Sequence, residues 1–307
     1  MAPRAILGPG MNIPFGPVGC SAVRSAIRTC ALDPTWHGSG VTLLTQRSRL
    51  SWTAFLTFAA SVAVAALGSY GALSTRSGQD LDVWATDALY ARRDTVTQIL
   101  SFLGYVSIGS AVLALAACFF FGAVRGKLMT AVGAVVIVIG ANATTQLLKK
   151  EVLTRADFDH GIHNSLPSGH TTLVTSLVLA LLLVVPEALR YVAVFGGTFV
   201  VTAVGASTVV AGWHRPADVI VALAVCLAWG SGVALVLGAR LDVWRTGLAA
   251  LALLSLAGAA LSGVGLVAIG VRPDEGWAGF VDAATVLIAL GLSSSLVVAL
   301  FARITPR

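Results

Sequence analysis

The sequence predicts an all-α, polytopic membrane helical bundle, and three observations predict it. Of 307 residues, 57% are hydrophobic and only 11% charged, with a mean hydropathy of +0.88; water-soluble domains carry about a quarter charged residues. Apolar runs close to the ~20 residues that cross a bilayer as a helix recur from Trp52 onward. The few charges cluster in the connections between those runs and divide unequally between alternate connections. This balance excludes an ordinary water-soluble enzyme and a disordered chain, and it argues against a nucleic-acid partner despite the net charge of +6.

Residues 1–50 differ from the rest. Pro3, Pro9, Pro14, Pro17 and Pro34, with five arginines (Arg4, Arg24, Arg28, Arg47, Arg49) against the single acid Asp33, predict a poorly ordered basic tail. Residues 51–240 carry six apolar runs, at 52–73, 98–122, 128–148, 169–186, 190–212 and 216–238. Residues 241–307 add two more, at 246–270 and 281–302. The connection 74–97 sets Leu81, Val83, Trp84, Leu89 and Tyr90 among Asp80, Asp82, Asp87, Arg92 and Arg93. That pattern reads as an amphipathic helix at the interface, a lid or lipid-facing rim with a structural role. Small-residue stretches at Ala257-Gly258-Ala259-Ala260 and Ser262-Gly263-Val264-Gly265 suit close helix packing, on the core or across a homodimer face. Cys20, Cys30, Cys118 and Cys226 show no metal-ligand spacing, and no cofactor or metal is expected.

With the tail on the cytoplasmic side, that side collects 12 basic residues against Asp33, Glu187 and Asp242, and the other receives 8 basic and 11 acidic residues. The positive-inside rule then places both termini in the cytoplasm of a plasma-membrane protein. Three connections share the outer face: 74–97, 149–170 and the turn at 213–216. Four of the five histidines, His160, His163, His170 and His214, lie in the last two.

Asn164-Ser165-Leu166-Pro167-Ser168-Gly169-His170 leads into the fourth apolar run. A helix N-terminus offers unsatisfied N–H groups and a positive dipole end, and glycine admits an oxyanion close to the chain, so Ser168 and Gly169 form a candidate phosphate cradle. Taken alone, Pro-Ser-Gly equally suits the start of a membrane helix; His170 beside it, at a depth where polar groups are costly, favours a use. In Trp213-His214-Arg215-Pro216-Ala217-Asp218, Pro216 suits the first turn of a helix, so Asp218 can reach the His214 imidazole from four residues on. An Asp that accepts the Nδ1 proton leaves Nε2 free as base or nucleophile, although a structural His-Asp pair has the same spacing. Lys149, Lys150 and Arg155 leave the third run toward the same face, where cations neutralise a phosphate or simply snorkel at a helix end.

Together these pieces resemble the type 2 phosphatidic acid phosphatase family. Its pattern is a Lys with Arg-Pro seven and eight residues on, then Pro-Ser-Gly-His, then Ser-Arg, five residues, His, three residues and Asp. Pro167-Ser168-Gly169-His170 matches the second motif in full, and Ser207, His214 and Asp218 match the third at its spacing; the resemblance covers about residues 52–238. It implies a metal-independent phosphoryl transfer from a membrane lipid phosphate. His214 would attack phosphorus, Asp218 would orient it, and His170 would protonate the leaving oxygen. Lys149 or Lys150, Arg155, Ser168 and the Gly169 N–H would hold the phosphate oxygens. Two departures stand out. Thr208 occupies the place of the third-motif arginine, and Lys149 precedes Arg155 by six positions, with Ala156 in place of the proline. Arg215, or the second lysine, is the expected substitute for the missing cation. The expected activity is therefore hydrolysis of a lipid phosphate or diphosphate, isoprenoid or glycerolipid, at the extracytoplasmic face. Transfer to a lipid or sugar hydroxyl seated by Asn164, Ser165, His160 and His163, or a catalytically weak lipid-binding or transport role, are the alternatives.

Overall fold

A computed structural model describes residues 36–89, 91–158, 164–238, 247–271 and 279–305, with the backbone alone for 36–51. The chain divides into Met1–Gln46 and Arg47–Arg307. Of the first unit only the opening of one helix is described, and residues 1–35 of the expected tail lie outside the described residues. The rest concerns the second unit.

Among the described residues ten α-helices follow in order: α1 (Trp36–Ser74), α2 (Arg76–Asp87), α3 (Arg93–Gly104), α4 (Ile108–Val124), α5 (Leu128–Leu147), α6 (Gly169–Val184), α7 (Glu187–Val210), α8 (Pro216–Val236), α9 (Leu248–Ala268) and α10 (Phe280–Ile304). Among the described residues the only strand-like pairing is an isolated bridge between Ala91 and Val271. Helices close every backbone hydrogen bond internally, which a lipid environment demands. Trp52–Ser74, Leu128–Val152, α7, α8, α9 and α10 are each long and apolar enough to cross a bilayer, so the protein is a multi-pass membrane bundle. α1 starts at Trp36, inside the stretch whose composition suggests a tail.

The apolar run expected at 98–122 is not one straight span. α3 and α4 meet at a bend of 46°, because Ser107 starts a new helix: its hydroxyl accepts the Ser110 N–H while the Ser110 hydroxyl accepts the Ser107 N–H, at 3.2 and 3.0 Å. The fourth run forms α6, only 16 residues long and buried along most of its length. It packs against α4, α5, α7, α8 and α10 and is the axis of the bundle. Polar rungs fix its height. Asn142 donates to Ser176, and the Thr145 and Thr172 hydroxyls are paired at 2.9 Å. One turn beyond that pair lie Lys149 on the π-helical turn Leu148–Val152 that ends α5, and Ser168 at the cap of α6. α8 runs parallel to α6, since Ser168 and Thr172 of one register with Asp218 and Cys226 of the other. Two helix N-termini therefore open at the same end of the molecule.

The C-terminal pair packs on the core. α9 lies against α7, and α10 against α6, α7 and α8. Gly258 is the point of closest approach: a Cβ there would stand 2.3 Å from the Phe195 carbonyl oxygen of α7. Because that obstacle is backbone, Gly258→Val must push α9 away. An overpacked contact of this kind costs about 1–3 kcal/mol, and the variant is expected to unfold several degrees below the parent in a detergent thermal melt. An unchanged Tm would contradict the contact.

Candidate active site

The site forms where the N-termini of α6 and α8 meet. Leu166-Pro167, a cis peptide, leads into Ser168, whose hydroxyl caps α6 by accepting the Thr171 N–H at 3.4 Å and the Thr171 hydroxyl at 3.0 Å. The Ser168 proton is left to donate. The Ser168 N–H donates to the Asp218 carbonyl at 3.1 Å, tying the two motifs main chain to main chain. A Cβ on Gly169 would stand 3.7 Å from Gln146 Nε2, in ordinary contact.

α7 ends at Gly212, whose φ of +72° suits glycine, and the chain turns so that the Trp213 and His214 N–H groups both donate to the Thr208 carbonyl, at 3.1 and 3.2 Å. Pro216 then takes the first position of α8. His214 is 7% exposed, and its Nδ1 lies 3.2 Å from Asp218 Oδ2. That same oxygen accepts the Arg215 N–H at 3.0 Å and the Ser165 hydroxyl. Three donors on one oxygen fix the carboxylate, and the carboxylate fixes the imidazole with Nε2 as the free nitrogen. Hydrogen bonds to a charged group contribute about 1.5–3 kcal/mol. Ser165→Ala is accordingly expected to lower kcat by roughly tenfold with KM nearly unchanged, and equal kcat values would remove Ser165 from the site.

His170, half-buried, stacks on Trp213 with ring centroids 5.3 Å apart, and it lies within electrostatic reach of His214 and Lys149. Of the two lysines, Lys149 is half-buried and faces this cluster, whereas Lys150 is exposed on the outside of the π-helical turn. Arg155 brings its whole guanidinium inside: Nε, Nη1 and Nη2 are buried and make no hydrogen bond. Arg215 is 7% exposed with Nη1 likewise unpartnered. Burial, and then the like charge of Arg155, lowers the Arg215 pKa, and Asp82 and Asp218 oppose that shift. Buried arginine nitrogens with no hydrogen-bond partner, beside two helix N-termini and an oriented imidazole, are an arrangement able to hold a phosphate. A family model described as the PAP2 superfamily matches residues 85–242, just over half of the chain.

The chain belongs to the PAP2 superfamily.

No curated protein and no solved structure matches it. PAP2 proteins are phosphatases as a class, and the motifs that carried the resemblance are the residues that meet here. Thr208, standing where the PAP2 pattern has arginine, is fully buried and donates to the Gly205 carbonyl at 2.8 Å. It is a helix residue with no side chain in the site. Arg215, one position past His214, brings its guanidinium to Arg155 instead. His160 and His163 lie outside the described residues.

Sequence reasoning missed one residue of this PAP2 site. The apolar residues of α2, Leu81 and Trp84, are exposed, while Gln79 and Asp82 point inward. Gln79 donates to the Leu73 and Ala156 carbonyls at 3.1 and 2.8 Å and so clasps the segment that carries Arg155. Asp82 accepts the Ala217 N–H at 3.1 Å, and its other oxygen is buried without a partner. Burial raises its pKa from the ordinary 3.8 to about 6, with Asp218 adding to the rise, while Ala217 N–H, Arg215 and Arg155 oppose it. The folded chain thus holds this proton more tightly than the unfolded one, and stability from this group falls as pH rises from 3.8 to about 6. The signal was present in the spacing: Gln79 and Asp82, three apart, form a polar stripe opposite Leu81 and Trp84.

Proposed function

We propose that this PAP2 protein hydrolyses a lipid phosphate or diphosphate at the extracytoplasmic face of the plasma membrane, through a phosphohistidine and without a metal. The observation that carries the reading is the buried guanidinium of Arg155 and the buried Nη1 of Arg215, none of these nitrogens hydrogen-bonded, beside an imidazole whose Nδ1 is held by Asp218. His214 Nε2 attacks phosphorus as the bond to the lipid oxygen breaks, and His170 delivers a proton to that oxygen. Water then attacks phosphorus as the P–N bond breaks, with His170 taking the water's proton, and phosphate leaves. Arg155, Arg215, Lys149 and the N–H groups of α6 meet the charge that builds on the equatorial oxygens.

A lipid substrate is supported by the surroundings. An apolar groove of about 1010 Å³ runs between α1, α5 and α8 and ends at Leu148, Leu153 and Thr154, next to the segment that carries Arg155. A phosphate on an embedded chain can arrive from the side at the depth of the site. The outward orientation is supported by the charge sorting: the Ala91–Val271 bridge and the Thr95 bond to Ile269 place the C-terminal end of α9 at the same end as α2 and the site, while Arg125 and Lys127 lie at the opposite end of α5.

Phosphate release by purified protein from a panel of isoprenoid phosphates, isoprenoid diphosphates and glycerolipid phosphates in mixed micelles tests the reading. Release from at least one, inhibited by vanadate as a mimic of pentacoordinate phosphorus, is the expected result. Tight binding of these lipids with no release would instead favour a lipid-binding role, and release only when an acceptor alcohol is supplied would favour transfer.

A further inference from the structure

We propose that Asp82 is a further residue of the anion site: it stands ionised as the counter-charge of Arg155 and Arg215 while the site is empty, and takes up a proton when a phosphate enters. The inference rests on the reading that these two arginines hold the phosphate. Asp82 lies outside the matched residues 85–242 and belongs to none of the three PAP2 motifs, so nothing in the family pattern assigns it a role.

The geometry leads to it in three steps. Asp82 is 5% exposed and held at one oxygen by the N–H of Ala217, in the first turn of the helix that bears Asp218. Its second oxygen is buried, unpartnered, and shares its surroundings with the unpartnered nitrogens of Arg155 and Arg215. The groups whose charge reaches Asp82 are Asp218 on α8, Arg215 at the cap of α8 and Arg155 on the segment before α6; α10, which also packs on α2, contributes only Asp282, exposed in its first turn and without effect on Asp82. Two anions cannot both be stable against one pair of cations in a poorly screened site. When a phosphate dianion arrives, the carboxylate is the member that can neutralise. One proton from solvent adds to its free oxygen, which changes from an unpartnered acceptor into an O–H donor available to a phosphate oxygen. No bond to phosphorus forms or breaks in this step. A carboxyl that already titrates near 6 before any anion is bound is poised for the exchange.

Sulfate is the suitable probe, because it fills a phosphate site and does not itself titrate between pH 5 and 8. Its affinity for the purified full-length chain is read from the rise of Tm with sulfate concentration. In the parent protein the affinity is expected to fall from pH 5 to pH 7.5 by at least about tenfold more than in Asp82→Asn, since a unit charge in a poorly screened site is worth that much. At pH 7.5 Asp82→Asn should bind sulfate at least about tenfold more tightly than the parent does at the same pH. The histidines are common to both proteins and cancel in the comparison. Asp82→Ser, which also offers an oxygen to Ala217, should behave like the Asn variant and serves if the latter does not fold. Equal pH slopes in parent and variants, or uniformly weaker binding in the variants, would overturn the proposal. Undiminished sulfate binding in Arg155→Ala would overturn both this and the phosphate assignment. Absence of lipid turnover with the pH linkage intact would sink the proposed reaction alone.

Discussion

Replacing His214 by alanine is expected to abolish phosphate release from every lipid the parent hydrolyses, by at least about 10⁴-fold in kcat, the scale on which an enzyme loses its nucleophile. The fold should survive. Asp218 keeps the Ser165 hydroxyl and the Arg215 N–H on the oxygen that His214 vacates, and the main-chain bonds from 213 and 214 to Thr208 do not involve the imidazole. An unchanged Tm beside lost turnover is therefore part of the expectation. Protein quenched in alkaline detergent should carry base-stable, acid-labile phosphate from a labelled substrate in the parent and none in the variant. His170→Ala separates the two steps: with a good leaving group it should still form the phosphoenzyme, while with a lipid alcohol it should not. Equal release by His214→Ala and the parent would refute the mechanism.

The second large effect is expected at the substituted cation. Arg215→Ala should cost about 2–4 kcal/mol of transition-state stabilisation, a loss of tens to about a thousandfold in kcat/KM. Arg155→Ala should fall in the same range. Because both guanidinium groups would contact one transferred phosphoryl group, the double variant should lose less than the product of the single losses. If kcat/KM is unchanged in Arg215→Ala, Arg215 is not the replacement for the arginine that Thr208 displaces, and the deficit must be met by Lys149, the lysine that faces the cluster.

Six of the eight expected apolar runs are helices long and apolar enough to cross a bilayer, and they were legible because that crossing sets both length and polarity. The pairing of His214 with Asp218 was legible for a similar reason: Pro216 and a spacing of four dictate a helical turn, and a helical turn dictates the contact. What escaped the sequence were features settled across the chain. The bend at Ser107 depends on a reciprocal pair of hydroxyl caps inside an otherwise continuous apolar run. The choice of Lys149 over Lys150 depends on the phase of a π-helical turn, which residue spacing does not reveal. α2 is the amphipathic helix expected over 74–97, but the sequence did not reveal that its polar side, Gln79 and Asp82, is buried against the first turn of α8 and the segment of Ala156. Ser165 reaches Asp218 across 53 positions, and Asp82 reaches Ala217 across 135, so neither contact has a local sequence signature.

The bond from the Ser168 N–H to the Asp218 carbonyl has a consequence for how this active site can diverge. Every residue type except proline can supply that donor, and every residue type can supply that acceptor, so the spacing of the two halves is independent of which side chains decorate them. A cation can then be exchanged at one position for a cation at another, as the proposed role of Arg215 in place of an arginine at 208 would have it, while the frame that aligns His214 and His170 stays in register. Substrate preference becomes a matter of trim fitted to a fixed chassis, open to change one residue at a time.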